Sequence, residues 1–166
     1  MIFDRNEQKA VVALLGAGSM GKAIVRRIGA GKKILLGDIS EKTLKCVGDD
    51  LRRCGYDVET ILAKRMNHLQ AQRAAATSWR KRHARINTIS PGVIVTPLAY
   101  DEFNANGEGY QRMIDASAAQ RTGTSDEIAE AAAFLLGEHA KFITGTDLLI
   151  DGGVIAAIRT GEYKLG

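Results

Sequence analysis

Proline is scarce, with 2 in 166 residues, and so is cysteine, also 2. With 45% hydrophobic and 25% charged residues beside so little proline, most of the chain cannot be disordered, because disorder needs fewer apolar residues and a larger net charge. Cys46 and Cys54 have no Cys or His at zinc-ligand spacing, so both read as reduced thiols in a cytosolic setting. No run approaches the ~18 apolar residues of a membrane span, and residues 1–7 lack the apolar stretch and cleavage site of a signal peptide. A cytoplasmic chain with no membrane partner is therefore expected. A one-sided charge is lacking too: 23 Lys+Arg against 19 Asp+Glu leaves +4, too mild to mark a nucleic-acid binder. The basic run from Arg80 to Arg85 has only Trp79 as an aromatic neighbour and reads as a solvated helix end, so no nucleic acid is expected. His68, His83 and His139 share no metal-ligand spacing. The stretch Glu102 to Gly107 echoes a calcium loop but has Met113 where a bidentate acid belongs, so no metal is expected.

What the chain does have is glycine, 18 residues placed between apolar runs, a pattern that suits an α/β protein. Its length fits one domain, expected over residues 1–166. Residues Ala10 to Leu15 form a continuous apolar run closed by glycines, as in a parallel strand buried on both faces. A helix follows from about Met20 to Ile28, then a strand from Lys33 to Gly37. Ser40 can cap a helix whose Leu44, Val47 and Leu51 share a face. A long helix is expected over 61–82, with Leu62, Met66, Leu69 and Ala76 as its apolar stripe. Arg85 to Ser90 reads as a strand stopped by Pro91-Gly92, followed by a loop with short helical pieces to about Gln120. Thr124 and Glu127 make a capping box for an Ala-rich helix to Leu136, and Thr146 to Ile150 is the last strand.

Gly16, Gly18 and Gly21 satisfy G-x-G-x-x-G, with Ser19 and Met20 between the last two. Such glycines allow a tight turn, close approach of backbone to a pyrophosphate, and close packing of helix on strand. The context strengthens the motif: a strand precedes it, a helix opens within it, and Asp38 ends the second strand with Ile39 beside it. A helix amino end offers free N–H groups and a positive dipole to phosphate. The Asp38 carboxylate can accept from ribose hydroxyls and would repel a 2′-phosphate, which favours NAD over NADP.

The segment from Arg85 to Leu98, with Asn87, Ser90, Pro91, Gly92, Ile94 and Thr96, resembles the strand-and-loop signature of the short-chain dehydrogenase/reductase family. The stretches Gly123 to Ala129 and Phe142 to Gly153 resemble the helix and terminal strand that follow in that family. The glycine motif departs from the family's usual T-G-x-x-x-G-x-G, since Leu15 replaces the threonine and the last glycine falls at Gly21. The resemblance implies a Rossmann-like doubly wound parallel sheet and an NAD-dependent oxidoreductase. It would act by hydride transfer on a small-molecule secondary alcohol or ketone. It also implies that Pro91, Gly92, Ile94 and Thr96 meet the nicotinamide end of the cofactor, and that the loop after Leu98 is a substrate lid. A homo-oligomer is expected, because the helix from Glu127 to Leu136 and the tail from Val154 to Ile158 offer more apolar surface than one small sheet covers, and the resemblance implies a homodimer or homotetramer.

The family's catalytic helix carries a tyrosine four residues before a lysine, with a serine on a preceding strand. Residues Ile61 to Asn67 resemble the lysine end of that helix, which makes Lys64 the catalytic and ribose-holding lysine, but position 60 is Thr. Tyr56 stands eight residues before Lys64, too far to serve. The family's third, fourth and fifth strands are expected to be missing near residues 57–61, a block of about 80 residues if each βαβ unit takes ~30 or more. The chain is thus locally consistent on each side of this junction and inconsistent across it. That favours a block absent from this sequence over a real deletion. Two other readings are a non-catalytic NAD-binding or assembly protein and, behind it, a methyltransferase, whose cofactor also uses a glycine loop.

Overall fold

The computed structural model describes residues 10–64 and 66–164, and they form two compact units, residues 1–65 and 66–166. In unit 1 the order is β1 (Val11–Leu15), α1 (Ser19–Ile28), β2 (Lys33–Asp38), α2 (Glu41–Arg53) and β3 (Asp57–Leu62). The strands make one parallel sheet in the order β1-β2-β3. Val12, Ile34, Leu36 and Val58 are buried on one face, together with Ile24, Val25, Leu44 and Leu51 of the helices. The other face carries Val11, Leu15 and Ile61, which are 68%, 47% and 48% exposed. Ser40 accepts from the Thr43 N–H, and this cap starts α2 where the sequence places it.

The expected helix over 61–82 is corrected. Asp57–Leu62 pairs residue for residue with Lys33–Asp38, so one of the three strands expected to be missing is present. Val58, Thr60 and Ile61 are β-branched, and Val58 buries itself beside Ile34, so strand pairing overrides the weak helical stripe. The helix begins only where a cap exists. Asn67 accepts from the Gln70 N–H while the Gln70 side chain accepts from the Asn67 N–H, and α3 runs over His68–Ala74. It continues through a π-helical turn, Ala75–Trp79, and a 3-10 turn, Arg80–Arg82.

Unit 2 then holds β4 (Thr88–Pro91), β5 (Ile94–Val95), α4 (Pro97–Ala116), β6 (Gly123–Thr124), α5 (Ser125–Leu136), β7 (Asp147–Ile150) and α6 (Val154–Thr160). Its strands form two parallel pairs, β4 with β7 and β5 with β6. Where a loop with short pieces is expected after Leu98, there is one helix kinked at Asn106, started by Thr96 as cap and Pro97 at its first position. The tail expected to be free apolar surface is α6, with Val154 and Ala157 buried within unit 2. No helix among the described residues is long and apolar enough to cross a membrane.

Candidate functional site

In unit 1 the glycine turn lies at the carboxyl end of β1. Gly16 has φ +120°, where residues with side chains are strained, and its N–H donates to the Gly37 carbonyl at 2.8 Å. Gly21 lies in the first turn of α1, where a Cβ would sit 1.9 Å from the Gly16 carbonyl oxygen. Strand and helix therefore approach this closely only because position 21 has no side chain. Gly18 is the N-cap and makes no side-chain cap bond, and the first turn, Ser19 and Met20 included, holds no acidic residue. The N–H groups there suit phosphate oxygens.

Asp38 closes this end of the sheet. Its Oδ2 accepts from the Ala17 N–H at 2.8 Å and its Oδ1 from the Ser40 N–H at 2.9 Å, which ties the glycine turn to the start of α2. Each oxygen keeps further acceptor capacity, and the residue is only half-buried. Ile39 beside it is exposed. Lys22 and Arg26, the nearby cations in sequence, are engaged on Asp50 of α2 at 2.7 and 3.4 Å. The Lys22 hydrogen bond, above all, holds the Asp50 carboxyl below its ordinary range.

Lys64 is not on a helix. It lies exposed just past β3, next to Ala63, whose N–H donates to the Asp38 carbonyl at 2.9 Å. Thr60 is a β3 residue paired with Leu36, so the helical spacing that would face position 60 toward Lys64 does not hold. The hydroxyl of Tyr56 donates to the Arg26 carbonyl at 2.9 Å. Gly16, Gly18, Ser19, Met20, Gly21, Asp38, Ile39 and Lys64 thus gather at the carboxyl end of one sheet, where open α/β sheets bind ligands.

In unit 2, Pro91 ends β4 and the Gly92 N–H donates to the Ile150 carbonyl at 2.9 Å. A Cβ on Gly92 would lie 2.5 Å from the Asp151 Cα, so glycine lets this loop pass the end of β7. Ile94 is buried on β5, and Thr96 Oγ1 accepts from the Ala99 N–H at 3.1 Å, which leaves the hydroxyl hydrogen free to donate. A cavity of about 190 Å³ lies beside this loop, lined by Val93, Ile94, Ser117, Arg121, Glu127 and Asp151 among others. Arg121 forks onto both oxygens of Glu127 at 3.0 and 2.6 Å, and this pair, with the Thr124 N–H, holds the Glu127 carboxyl down to about 2.

Sequence reasoning missed two organisers of this loop. Asp147 accepts from Thr88 Oγ1 at 2.6 Å and Ser90 Oγ at 2.8 Å, and so holds the strand that leads into Pro91. Asp151 accepts from the Gly153 and Ile155 N–H groups at 2.9 and 2.7 Å, which fixes a turn whose Gly152 and Gly153 have φ +66° and +98°. The signals were present: Thr88 and Ser90 fall on one strand face, and an aspartate before two glycines is a turn signature.

The family model described as enoyl-(acyl carrier protein) reductase matches residues 61–155, more than half of the chain. A short-chain dehydrogenase/reductase of Alternaria brassicicola is 46% identical over 96 residues, 57% of this chain and 35% of that protein. The chain belongs to the short-chain dehydrogenase/reductase family. Galactitol 2-dehydrogenase (L-tagatose-forming) of Cereibacter sphaeroides is 32% identical over 135 residues, 81% of this chain and 49% of that one. The chain thus spans about half or less of the length of these curated relatives. Among solved structures, a short-chain dehydrogenase/reductase family oxidoreductase from Burkholderia thailandensis matches with a TM-score of 0.67 at 19% identity, covering 93% of this chain and 96% of that chain. That likeness gives the Rossmann fold with its parallel strands. Membership of the short-chain family implies a nicotinamide cofactor.

Proposed function

We propose that this short-chain family chain frames the cofactor site of an NAD-dependent oxidoreductase that moves a hydride between nicotinamide and a secondary alcohol or ketone. The observation that carries this reading is the Asp38 carboxylate, locked by the Ala17 and Ser40 N–H groups beside an uncapped helix start. The residues of each unit suit one part of the cofactor. Gly18, Ser19, Met20 and Gly21 would present N–H groups to the pyrophosphate, and Asp38 would accept from ribose hydroxyls with Ile39 alongside. Pro91, Gly92, Ile94 and Thr96 would hold the carboxamide end, the Thr96 hydroxyl donating. When bound, the nicotinamide supplies the hydride acceptor or donor. Relatives named as galactitol and xylulose enzymes support a small polyol or its ketone as substrate. The same relatives, named as dehydrogenases and reductases, disfavour a non-catalytic binding or assembly role.

Proton transfer needs a group that Thr60 cannot replace, since an aliphatic hydroxyl is far too weak an acid. Lys64 acts in catalysis only beside a phenol, so we assign that chemistry to a longer chain in which the missing block restores it. With β3 present, the block still missing is about 60 residues for two strands and their connections, so intact mass spectrometry of the natural protein is expected to exceed 17.9 kDa by roughly 6 kDa. The natural protein is also expected to be a homodimer or homotetramer.

Calorimetry with NAD, NADP and S-adenosylmethionine tests the cofactor reading. A 2′-phosphate ~4 Å from a carboxylate is repelled by about 4 kcal/mol at an effective dielectric of 20, less where solvent screens it. NAD is therefore expected to bind at least about tenfold more tightly than NADP, and Asp38→Ala to narrow the gap. NADP preference in the unaltered protein, or no NAD binding, overturns the assignment.

A further inference from the structure

Asp147 of β7 stands in register with Thr88 of β4, and Leu149 with Ser90. Thr88 and Ser90 lie two residues apart, on one face of β4. The Asp147 side chain leans along its strand, so that Oδ1 accepts from Thr88 Oγ1 at 2.6 Å and Oδ2 from Ser90 Oγ at 2.8 Å. One carboxylate thus holds two positions of the neighbouring strand, and β4 cannot slide along β7 without breaking both bonds. Hydrogen bonds to a charged group are roughly twice as strong as neutral ones. The backbone pairing beside them is short, from the Thr88 N–H on the Thr146 carbonyl to the Gly92 N–H on the Ile150 carbonyl, and the end of so short a pair frays readily. Ser90 is the residue before Pro91, where the loop toward Thr96 begins. The far end of that loop is anchored separately, by Ile94 buried on β5 and by the Gly123 N–H on the Val93 carbonyl. Both strands of the β4–β7 pair are in this chain, so the contact does not depend on the block assigned to a longer one.

We propose that Asp147 is a positioning residue for the nicotinamide end of the cofactor: by clamping Thr88 and Ser90 it sets where the segment from Pro91 to Ile94 stands. The role rests on the cofactor reading above, and Asp147 acts through Ser90 and Pro91 rather than on the cofactor itself. Its influence is confined to one part of the ligand, because the pyrophosphate and the Asp38 ribose are assigned to the glycine turn and β2 of unit 1, which contain no part of this clamp.

Calorimetry of the natural protein with NAD and with ADP-ribose tests the role, because ADP-ribose keeps every part of the cofactor except the nicotinamide. Asp147→Val suits a strand and leaves both hydroxyls without their acceptor. It is expected to weaken NAD binding about tenfold, the order that a charged hydrogen bond is worth, and to change ADP-ribose binding by less than about twofold. Asp147→Asn is expected to bring NAD binding back to within about twofold of the unaltered protein. Its amide oxygen can accept from Ser90 while its NH2 donates to Thr88 Oγ1, whose own hydrogen turns to the Thr146 carbonyl 3.4 Å away. Ser90→Ala should reproduce much of the Asp147→Val loss, and Asp147→Val added to it should cost little more. Should Asp147→Val fail to fold, Ser90→Ala carries the test with the same two ligands. Equal weakening of NAD and ADP-ribose, the mark of a merely structural role, overturns the proposal. So does a loss in Asp147→Asn as large as in Asp147→Val, since charge and not the clamp would then matter. Unchanged NAD binding in Asp147→Val and Ser90→Ala overturns the role of Asp147 alone, whereas no NAD binding by the unaltered protein overturns the cofactor reading and that role together.

Discussion

In unit 1, β1, β2 and β3 form a single ladder joined backbone to backbone, whereas unit 2 divides its strands between two short pairs and closes the gaps with side chains. Arg85 donates to the carbonyls of Leu135, Gly137 and Ile143, and Asn87 donates to Ile143 while accepting from the Thr146 N–H. Asp151 does the same for the Gly153 and Ile155 N–H groups past β7, while Asp147 holds the Thr88 and Ser90 hydroxyls across the β4–β7 pair. The difference teaches where each unit is vulnerable. A ladder tolerates side-chain change unless a side chain appears where two backbones touch, while short strand pairs depend on the polar side chains that satisfy backbone groups the ladders do not reach.

The sharpest break of the comparison is Gly21→Ala. The added Cβ meets a backbone carbonyl at 1.9 Å, and neither β1 nor α1 can yield without disturbing the sheet. We expect a loss of about 3 kcal/mol or more in thermal or urea melts, with NAD binding abolished. Gly18→Ala, whose Cβ meets nothing within 4 Å, is expected to change stability by about 0.5 kcal/mol at most. Equal melts for the two variants would mean that the helix does not pack on Gly16 as described.

Next in size is Arg85→Met, which keeps much of the aliphatic stem and removes the guanidinium. Charged hydrogen bonds contribute ~1.5–3 kcal/mol, and buried carbonyls left without a donor add to the loss, so about 2–3 kcal/mol is expected for this half-buried residue. Hydrogen exchange should show the loss in α5 and the segment around Ile143, with the β1–β2–β3 amides unchanged. Uniform loosening across both units would contradict the division of roles.

What was legible in the sequence follows the same line. Val11–Leu15, Lys33–Asp38, the Ser40 cap and the Thr124–Glu127 capping box were readable because local pattern and final structure agree there. The strand Asp57–Leu62 was not, because its apolar residues fit a helical stripe as well as a strand, and only pairing with β2 decides between them. The positions of the glycine turn and Asp38 at the ends of β1 and β2 were legible because the apolar runs that precede them read as strands. The roles of Asp147 and Asp151 were hidden because their partners Thr88, Ser90 and Gly153 are chosen by strand register and turn geometry, which a linear pattern does not state.

The smallest expected effect sharpens the comparison through pH. Glu127 joins Arg121 to the capping box of α5, and its folded pKa of about 2 lies below its ordinary value of 4.5. A carboxyl depressed on folding contributes stability that is fully present above the unfolded value and is lost as pH falls through the folded one. The loss therefore falls between about pH 4.5 and pH 2. Glu127 is exposed enough for solvent to screen the pair, so the effect is small beside those of Gly21 and Arg85. Glu127→Gln keeps the shape of the cap and removes the titration. Melts at pH 7 are expected to favour the unaltered chain, and the gap should close as the pH approaches 2, with the protection of α5 amides following the same curve. The β1–β2–β3 amides should show no difference between the two proteins at any pH, because the ladder of unit 1 contains no part of this pair. A gap that persists at pH 2 would mean that the Glu127 carboxylate is not what holds the start of α5.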